Sequence, residues 1–309
     1  MRAIVVRQYG GPENLEIADV PTPEPGTGEI LIKVAAAGVN PVDAAVRAGY
    51  FGGRLGDRPT TGFGWDVAGT VESTGNGVTE FGHGDNVIAL LNAAAVELGT
   101  YAEYVVVPAN AAAFAPSSVE APAAATLPLN ALTADQALDL LALEPGQTVL
   151  VTGAAGGVGG YVVPLANRRG LRVVATAAPA DELAVRGFGA DVFVPRTESL
   201  ADAVRNAVPG GVDGAVDAAQ IGVAALDAVR DGGRFIAVTD PSTPEPARGI
   251  TVSKVDIQPD GQRLAELAQL VDAGELTLRV ATTVPFADAA EAHRLLEKGG
   301  LRGRIVLVP

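Results

Sequence analysis

The apolar run Thr148-Val-Leu-Val-Thr152 leads into Gly153-Ala-Ala-Gly156-Gly157-Val158-Gly159, and a helical pattern follows. Small residues in this order suit one chemistry. The strand must turn sharply, and backbone N–H groups at the head of the next helix must approach a pyrophosphate. Gly156 and Gly159 occupy the last two glycine places of the dinucleotide fingerprint, and Ala154 replaces the first. Ala155, Gly156, Gly157 and Val158 are therefore expected to hold a dinucleotide. A bare strand–helix turn would use the same glycines, but the flanking strand, helix and next βαβ unit favour the ligand.

The choice of cofactor depends on the end of the following strand, where an acid would bond the ribose hydroxyls of NAD. Here the run is Val174-Ala-Thr176-Ala177-Ala178, with neither an acid before Asp181 nor a basic residue. The missing acid removes a charge that would repel a 2′-phosphate, so NADP(H) is favoured over NAD(H). Thr176 and Ala177 are expected to border that phosphate. Arg196 follows the next strand, and parallel neighbours bring their carboxyl ends side by side. Its guanidinium is expected to pair with the 2′-phosphate; an exposed arginine after Pro195 is the alternative.

Composition removes other chemistries. The 309 residues include no Cys and only two His, His83 and His293, far apart in sequence. Disulfides, thiolate zinc sites, cysteine nucleophiles and multi-histidine metal sites are excluded. With 22 Lys plus Arg against 36 Asp plus Glu, the formal charge of −14 repels nucleic acid. The apolar stretches Ile88–Val96 and Ala121–Leu143 are too short or are broken by Asn130, Asp135 and Asp139. A soluble cytoplasmic protein with no membrane or nucleic-acid partner is expected.

Elements that must position the loop fall into two groups. The first 110 residues read as β-rich, with short β-branched runs at Ala3–Arg7, Leu15–Asp19, Glu29–Ala37, Ala68–Thr74, Asn86–Leu91 and Tyr101–Val107. Among them, Asn40–Ala48 reads as a helix with Asn40 as N-cap and Pro41 at the first helical position. A helix at Asn130–Leu143 opens an alternation of strands (Thr148–Thr152, Arg172–Thr176, Asp191–Val194, Gly214–Asp217, Arg234–Val238) with helices. Those helices start from Gly157 and cover Ala180–Phe188, Leu200–Val208 and Gly222–Arg230. Such alternation implies a buried, doubly wound parallel sheet. Pro164 inside the first of these helices predicts a kink. After a helix at Asp260–Ala273 the tail returns to a strand at Leu276–Thr282, a helix at Phe286–Glu297 and a closing strand at Gly303–Val308.

Segments spread over nearly the whole chain resemble the zinc-independent, ζ-crystallin-like quinone oxidoreductases of the medium-chain dehydrogenase/reductase superfamily. They are Ala36-Ala-Gly-Val-Asn-Pro-Val-Asp43, Gly62-Phe-Gly-Trp-Asp-Val-Ala-Gly-Thr-Val71, Gly99-Thr-Tyr-Ala-Glu-Tyr-Val105, Leu127-Pro-Leu-Asn-Ala-Leu-Thr-Ala134, the glycine loop, and Gly300-Leu-Arg-Gly-Arg-Ile-Val-Leu307. The resemblance implies an α/β chain with a GroES-like β domain at 1–112 and 277–309 and a Rossmann domain at 113–276. It also implies a homodimer. Zinc-dependent relatives carry Cys where this chain has Asn40 and a His-Glu pair at Trp65-Asp66, so no zinc is expected. By the same resemblance, Asn40 lies near the nicotinamide ribose and substrate carbonyl, and Thr133 touches the cofactor. Val238 and Thr239 flank the nicotinamide, and Arg304 lies near the cofactor or is a plain surface arginine. This chain departs from the family at three places. The usual Tyr is Phe51, with Tyr50 one residue earlier; the Ser and Lys that grip the 2′-phosphate are Ala178 and Asp181; a Tyr near the adenine is Arg196.

Tyr50, in the Gly-bounded loop Gly49–Gly53, is the candidate proton donor or else a packing residue. Asp43 and Asp66 read as structural acceptors, and His83 and His293 as solvated surface residues. The expected activity is zinc-independent hydride transfer from NAD(P)H to a quinone or other α,β-unsaturated carbonyl. Without a Lewis acid, alcohol oxidation loses the group that stabilises its alkoxide, whereas a conjugated carbonyl needs a positioned nicotinamide and a proton or hydrogen-bond donor. The alternatives are a pathway-specific enoyl or enone reductase, or a cofactor-binding protein without redox activity.

Overall fold

The computed structural model describes residues 1–50, 60–93, 96–196 and 199–309. They form two compact units, Met1–Leu129 with Gln258–Pro309, and Asn130–Ile257.

The first unit begins with β1 (Arg2–Val6), β2 (Glu16–Asp19), β3 (Glu29–Val39), α1 (Pro41–Arg47) and β4 (Thr61–Gly62). It continues with β5 (Asp66–Thr74), β6 (Asn86–Leu90), β7 (Tyr104–Pro108), β8 (Ala112–Phe114) and α2 (Ala121–Ala124). Strand β3 organises it. Ile30, Ile32 and Val34 enter the core with Val67, Val71, Val87, Val105 and Val107, the period-two pattern of a strand. β3 pairs antiparallel with β5 and β7.

Helix α3 (Pro128–Leu141) leads into the second unit. There β9 (Thr148–Thr152), α4 (Gly159–Arg168), β10 (Arg172–Ala177), α5 (Glu182–Gly187), β11 (Val192–Pro195), α6 (Leu200–Ala207) and β12 (Val212–Asp217) follow in turn. Then come α7 (Val223–Leu226), β13 (Val229–Ala237) and β14 (Thr251–Lys254). The sheet is parallel throughout in the order β11-β10-β9-β12-β13-β14. All five residues of β9 are buried, as the central strand of a doubly wound sheet requires. Chain order reverses between β9 and β12, and dinucleotides bind at such a reversal. Helix α4 runs on through Pro164 to Arg168.

The tail returns to the first unit with α8 (Gly261–Asp272), β15 (Val280–Pro285), α9 (Ala289–Lys298) and β16 (Arg304–Val308). β16 pairs antiparallel with β3, joining Ile305 to Val39, and parallel with β15.

Several elements differ from the sequence reading. The helix expected at Gly222–Arg230 ends at Leu226, because Val229 is already paired with Val212 in the sheet. Tertiary pairing overrides a locally helical stretch there. The strand expected at Leu276–Thr282 lies at Val280–Pro285, in register with Arg304–Val308. The units also meet at 129/130 and 257/258, whereas 112/113 and 276/277 were expected. Residues after 112 stay with the first unit because β8 pairs with β6 and α2 packs on β3 and β5. Helix α8 is fastened to the same unit: Asp272 accepts bonds from the amides of Ser117 and Ser118, at 3.1 and 2.9 Å.

Gly261 opens α8 against the backbone of residues 110–112. A Cβ there would lie 2.3 Å from the Ala112 carbonyl oxygen and 2.7 Å from that of Asn110. Neither is the end of a flexible side chain, so Gly261→Ala must displace the helix. The expected loss is about 1–3 kcal/mol, read as a lower thermal midpoint; an unchanged midpoint would show that α8 is free to shift.

Candidate active site

In the second unit, β9 ends at Gly153 with φ at +61°, a conformation that favours glycine. A Cβ at Gly159 would fall 2.3 Å from the Gly153 carbonyl oxygen, so the helix head sits directly on the turn. The loop is closed by bonds from Gly156 N–H to Gly153 O (2.8 Å) and from Ala154 N–H to Thr176 O (3.1 Å). Gly157 and Val158 spend their N–H groups on no partner among the described residues. A glycine cradle with unspent donors at the positive end of a ten-residue helix fits a pyrophosphate.

The end of β10 adjoins this loop. Ala177 is paired in register with Pro195, and Arg196 N–H donates to Ala177 O at 2.9 Å. Arg196 itself is exposed, while Thr176 is buried and its hydroxyl bonds nothing among the described residues. The structure thus puts Arg196, and not the Thr176 hydroxyl, on the open side of the strand end. Val238 and Thr239 lie half-buried just past β13, where Val238 N–H donates to Asp217 O at 3.3 Å. Thr133 is buried on α3.

In the first unit, Asn40 caps α1 as expected. Its N–H donates to Asp43 Oδ2 (2.8 Å), and its Nδ2 donates to Asp66 Oδ2 (2.6 Å). Asp43 also accepts from Gly64 N–H (2.9 Å) and the Tyr101 hydroxyl (3.1 Å), and Asp66 accepts from Leu129 N–H (2.6 Å). Both carboxyls are fully buried. Burial pushes Asp43 up to about 7 against the pull of the Asn40 and Gly64 amides, and the charge of Asp66 adds to the rise. Burial also pushes Asp66 up to about 6, opposed by the bonds from Leu129 and Asn40 and by the Arg304 cation. Arg304 stands one step beyond the Ile305–Val39 pair, across from Asn40. Gly38 makes room for Asp66: a Cβ there would meet Asp66 Oδ2 at 2.7 Å.

Zinc does not fit this set. The Trp65 indole has no lone pair to give, Asn40 Nδ2 is a donor to Asp66, and both Asp66 oxygens are engaged. Among the described residues no three His, Asp or Glu gather into a metal-binding group.

Tyr50 lies beyond the opposite end of α1, its N–H bonded to Ala45 O and its side chain 61% exposed. The seven residues of α1, about 10 Å of helix, separate it from the Asn40 cap. Phe51 and the rest of that loop to Gly53 lie outside the described residues.

His83 is an exposed turn residue, as expected. His293 is not a surface residue. It is buried on α9, with its ring set edge-on to Phe63 and Tyr101 at 6.2 and 6.1 Å, and it makes no hydrogen bond among the described residues. Beside it lies buried Arg47, ion-paired with Glu297. Ala289, Ala292 and His293 share one face of α9 by their i, i+3, i+4 spacing, a signal the sequence carried.

An antiparallel β unit interrupted by a parallel α/β unit with a dinucleotide-type loop defines a medium-chain dehydrogenase/reductase. Residues 26–117 match the alcohol dehydrogenase GroES-like domain, and residues 188–307 match the zinc-binding dehydrogenase domain. The chain is 33% identical, over its full length and 80% of the relative, to the chloroplastic NADPH-dependent alkenal/one oxidoreductase of Arabidopsis thaliana. It is 31% identical over its full length to the quinone oxidoreductase of Rattus norvegicus, of which 98% is covered. The quinone oxidoreductase structure from Coxiella burnetii superposes with a TM-score of 0.89 at 28% identity, covering 100% of this chain and 99% of that one. The chain belongs to the quinone oxidoreductase family of this superfamily. No helix among the described residues is long and apolar enough to cross a membrane.

Burial, with the nearby Arg47 cation, lowers the His293 pKa from 6.5 to about 4. Between those values the unfolded chain binds more protons than the folded one, so this contribution is lost as pH falls from 6.5 towards 4. The raised Asp43 and Asp66 act oppositely: their contribution is present at low pH and lost as pH rises through about 6 to 7. His293→Phe isolates the histidine. Its stability relative to the native chain should improve by up to about 3 kcal/mol between pH 7 and pH 4. Denaturant unfolding at a series of pH values measures this, and parallel curves for the two proteins would show that His293 titrates alike in the folded and unfolded chain.

Proposed function

We propose that this chain is an NAD(P)H-dependent oxidoreductase that reduces quinones or other α,β-unsaturated carbonyls without zinc, with NADPH preferred. The observation that carries the reading is the glycine cradle with unspent N–H groups at the head of α4. The relatives' names supply the substrate class, and that of the Arabidopsis thaliana relative includes NADPH dependence. When bound, the nicotinamide supplies the hydride. Ala155, Gly156, Gly157 and Val158 hold the pyrophosphate. Ala177 leaves the adenosine end free of a repelling acid, Arg196 meets the 2′-phosphate, and Thr133, Val238 and Thr239 border the nicotinamide half. Asn40, its orientation set by Asp66, lies near the nicotinamide ribose and the substrate carbonyl. Arg304 lends positive charge to the same cluster, and Tyr50 delivers the proton. A cytoplasmic homodimer completes the reading.

The direct test is oxidation of NADPH and NADH followed spectrophotometrically against quinones, enals and enones after exhaustive dialysis with a chelator. Turnover that survives dialysis is expected, with NADPH the better donor. Activity that tracks a one-to-one zinc content, or none with any acceptor, would overturn the reading.

Arg196 tests the cofactor preference separately. A partly exposed guanidinium–phosphate pair is worth roughly 1–2 kcal/mol, or about ten- to thirtyfold in affinity. Arg196→Ala should weaken NADPH by that factor in calorimetry and leave NADH almost untouched. Equal effects on both cofactors would remove Arg196 as the selector.

A further inference from the structure

Among the described residues, three non-glycine residues adopt a left-handed backbone, Ala142, Gln220 and Arg248, with φ of 45°, 58° and 52°. Such a conformation is unfavourable for a residue with a Cβ and persists where its surroundings impose it. Two of the three have local reasons. Ala142 directly follows α3, where a left-handed residue stops a helix. Arg248 turns so that its guanidinium reaches Leu226 O and Val229 O, each at 2.8 Å, and Asp231 at 3.0 Å. Gln220 has no such return. It is exposed, and its side-chain amide makes no hydrogen bond among the described residues.

What imposes the turn is Asp217, buried at the end of β12. Its carboxylate accepts from Thr152 Oγ1 (2.6 Å) and from the N–H groups of Ala219 (3.3 Å), Ile221 (3.3 Å) and Gly222 (2.8 Å). Thr152 Oγ1 in turn accepts from Ala219 N–H at 3.0 Å. The backbone N–H groups on both sides of Gln220 are therefore pinned, and Gln220 takes up the left-handed turn between them with its side chain exposed. The loop also lies against the phosphate turn. A Cβ at Gly153 would meet the Ala218 carbonyl oxygen and the Ala219 Cβ, both at 3.2 Å. This is the point between β9 and β12 where strand order reverses, and a dinucleotide crosses the sheet edge there.

We propose that Gln220 is a further cofactor-binding residue, whose amide hydrogen-bonds the ribose–pyrophosphate backbone of the dinucleotide. The inference rests on the cofactor reading above. A neutral amide suits the position because it donates to phosphoryl oxygens and accepts from ribose hydroxyls while adding no charge beside the pyrophosphate. The strained turn, held by a carboxylate that serves no other group on the surface, presents that amide before the ligand arrives.

Calorimetric titration of the full chain with NADPH tests this, using Gln220→Ala, which removes the amide, and Gln220→Gly, which also relieves the turn. Both variants should bind NADPH five- to twentyfold more weakly, while Gln220→Gly unfolds at a higher temperature than the native chain. Ala142→Gly serves as the strain control and should bind NADPH as the native chain does. Titration with adenosine 2′,5′-bisphosphate locates the contact: a parallel loss puts the amide on the adenosine half, and a loss confined to NADPH puts it on the nicotinamide half. Either result upholds the proposal. If both Gln220 variants bind NADPH as tightly as the native chain, the proposal is overturned while the cofactor reading stands. If the native chain itself binds no dinucleotide, both fall.

Discussion

Burying a carboxylate without partners costs several kcal/mol, and among its described residues the first unit buries two, Asp43 and Asp66, side by side. Much of the local architecture follows from supplying their donors. Asn40 gives its backbone N–H to one and its side-chain amide to the other. Gly64, Tyr101 and Leu129 complete the set, and Arg304 approaches from β16. Asn40 is consequently not a side chain that samples rotamers in a cleft; turning it would take one of its two donors from buried Asp66, while its backbone stays tied to Asp43. The same constraint explains why Gly38 must lack a Cβ and why α1 starts where it does. The burial of the two acids and the fixed orientation of Asn40 are one arrangement seen from two sides.

The second unit uses the device once more, on a smaller scale. Its parallel strands are buried on both faces, so polar side chains concentrate where the strands end. Asp217, at the end of β12, is one such buried acid, and it accepts from the N–H groups of its own loop and the hydroxyl of Thr152. Around the neighbouring turn the requirement is reversed. Gly153 and Gly159 leave no room for side chains, and the N–H groups of Gly157 and Val158 have no partner among the described residues. An excess of donors beside an acid that is already satisfied is the electrostatic profile an anionic ligand needs.

How far this was legible in the sequence depends on how local each signal is. The strand Thr148–Thr152, the glycine turn and the Asn40-Pro41 helix start are each written in a few adjacent residues, and each is found where expected. The stretch after Gly222 misled because Val223–Arg230 is locally helical, and only the partner strand β12 decides that Val229 is extended. Strands β8 and β14, of three and four residues, are too short for periodicity to register. The unit boundary was likewise hidden, since a carboxylate at residue 272 bonding serines at 117 and 118 is a long-range event. His293 was misjudged by its charged neighbours Arg294 and Glu297, although its spacing from Ala289 already placed it on the inner face.

The closing strand carries a consequence for how the molecule is made. Residues 130–257 are contiguous and complete their own unit as soon as they have been synthesised. The first unit must wait, because the end of β3 beside Asn40 is paired by Ile305–Leu307. At 5–20 residues per second the interval is roughly 3–10 s, long on the scale of domain folding. During it the backbone of Ala37–Val39 has no partner on that side, and Arg304 has yet to reach the acid pair. The candidate site is thus the last part of the first unit to close, so a nascent chain acquires its glycine cradle before it acquires a finished Asn40.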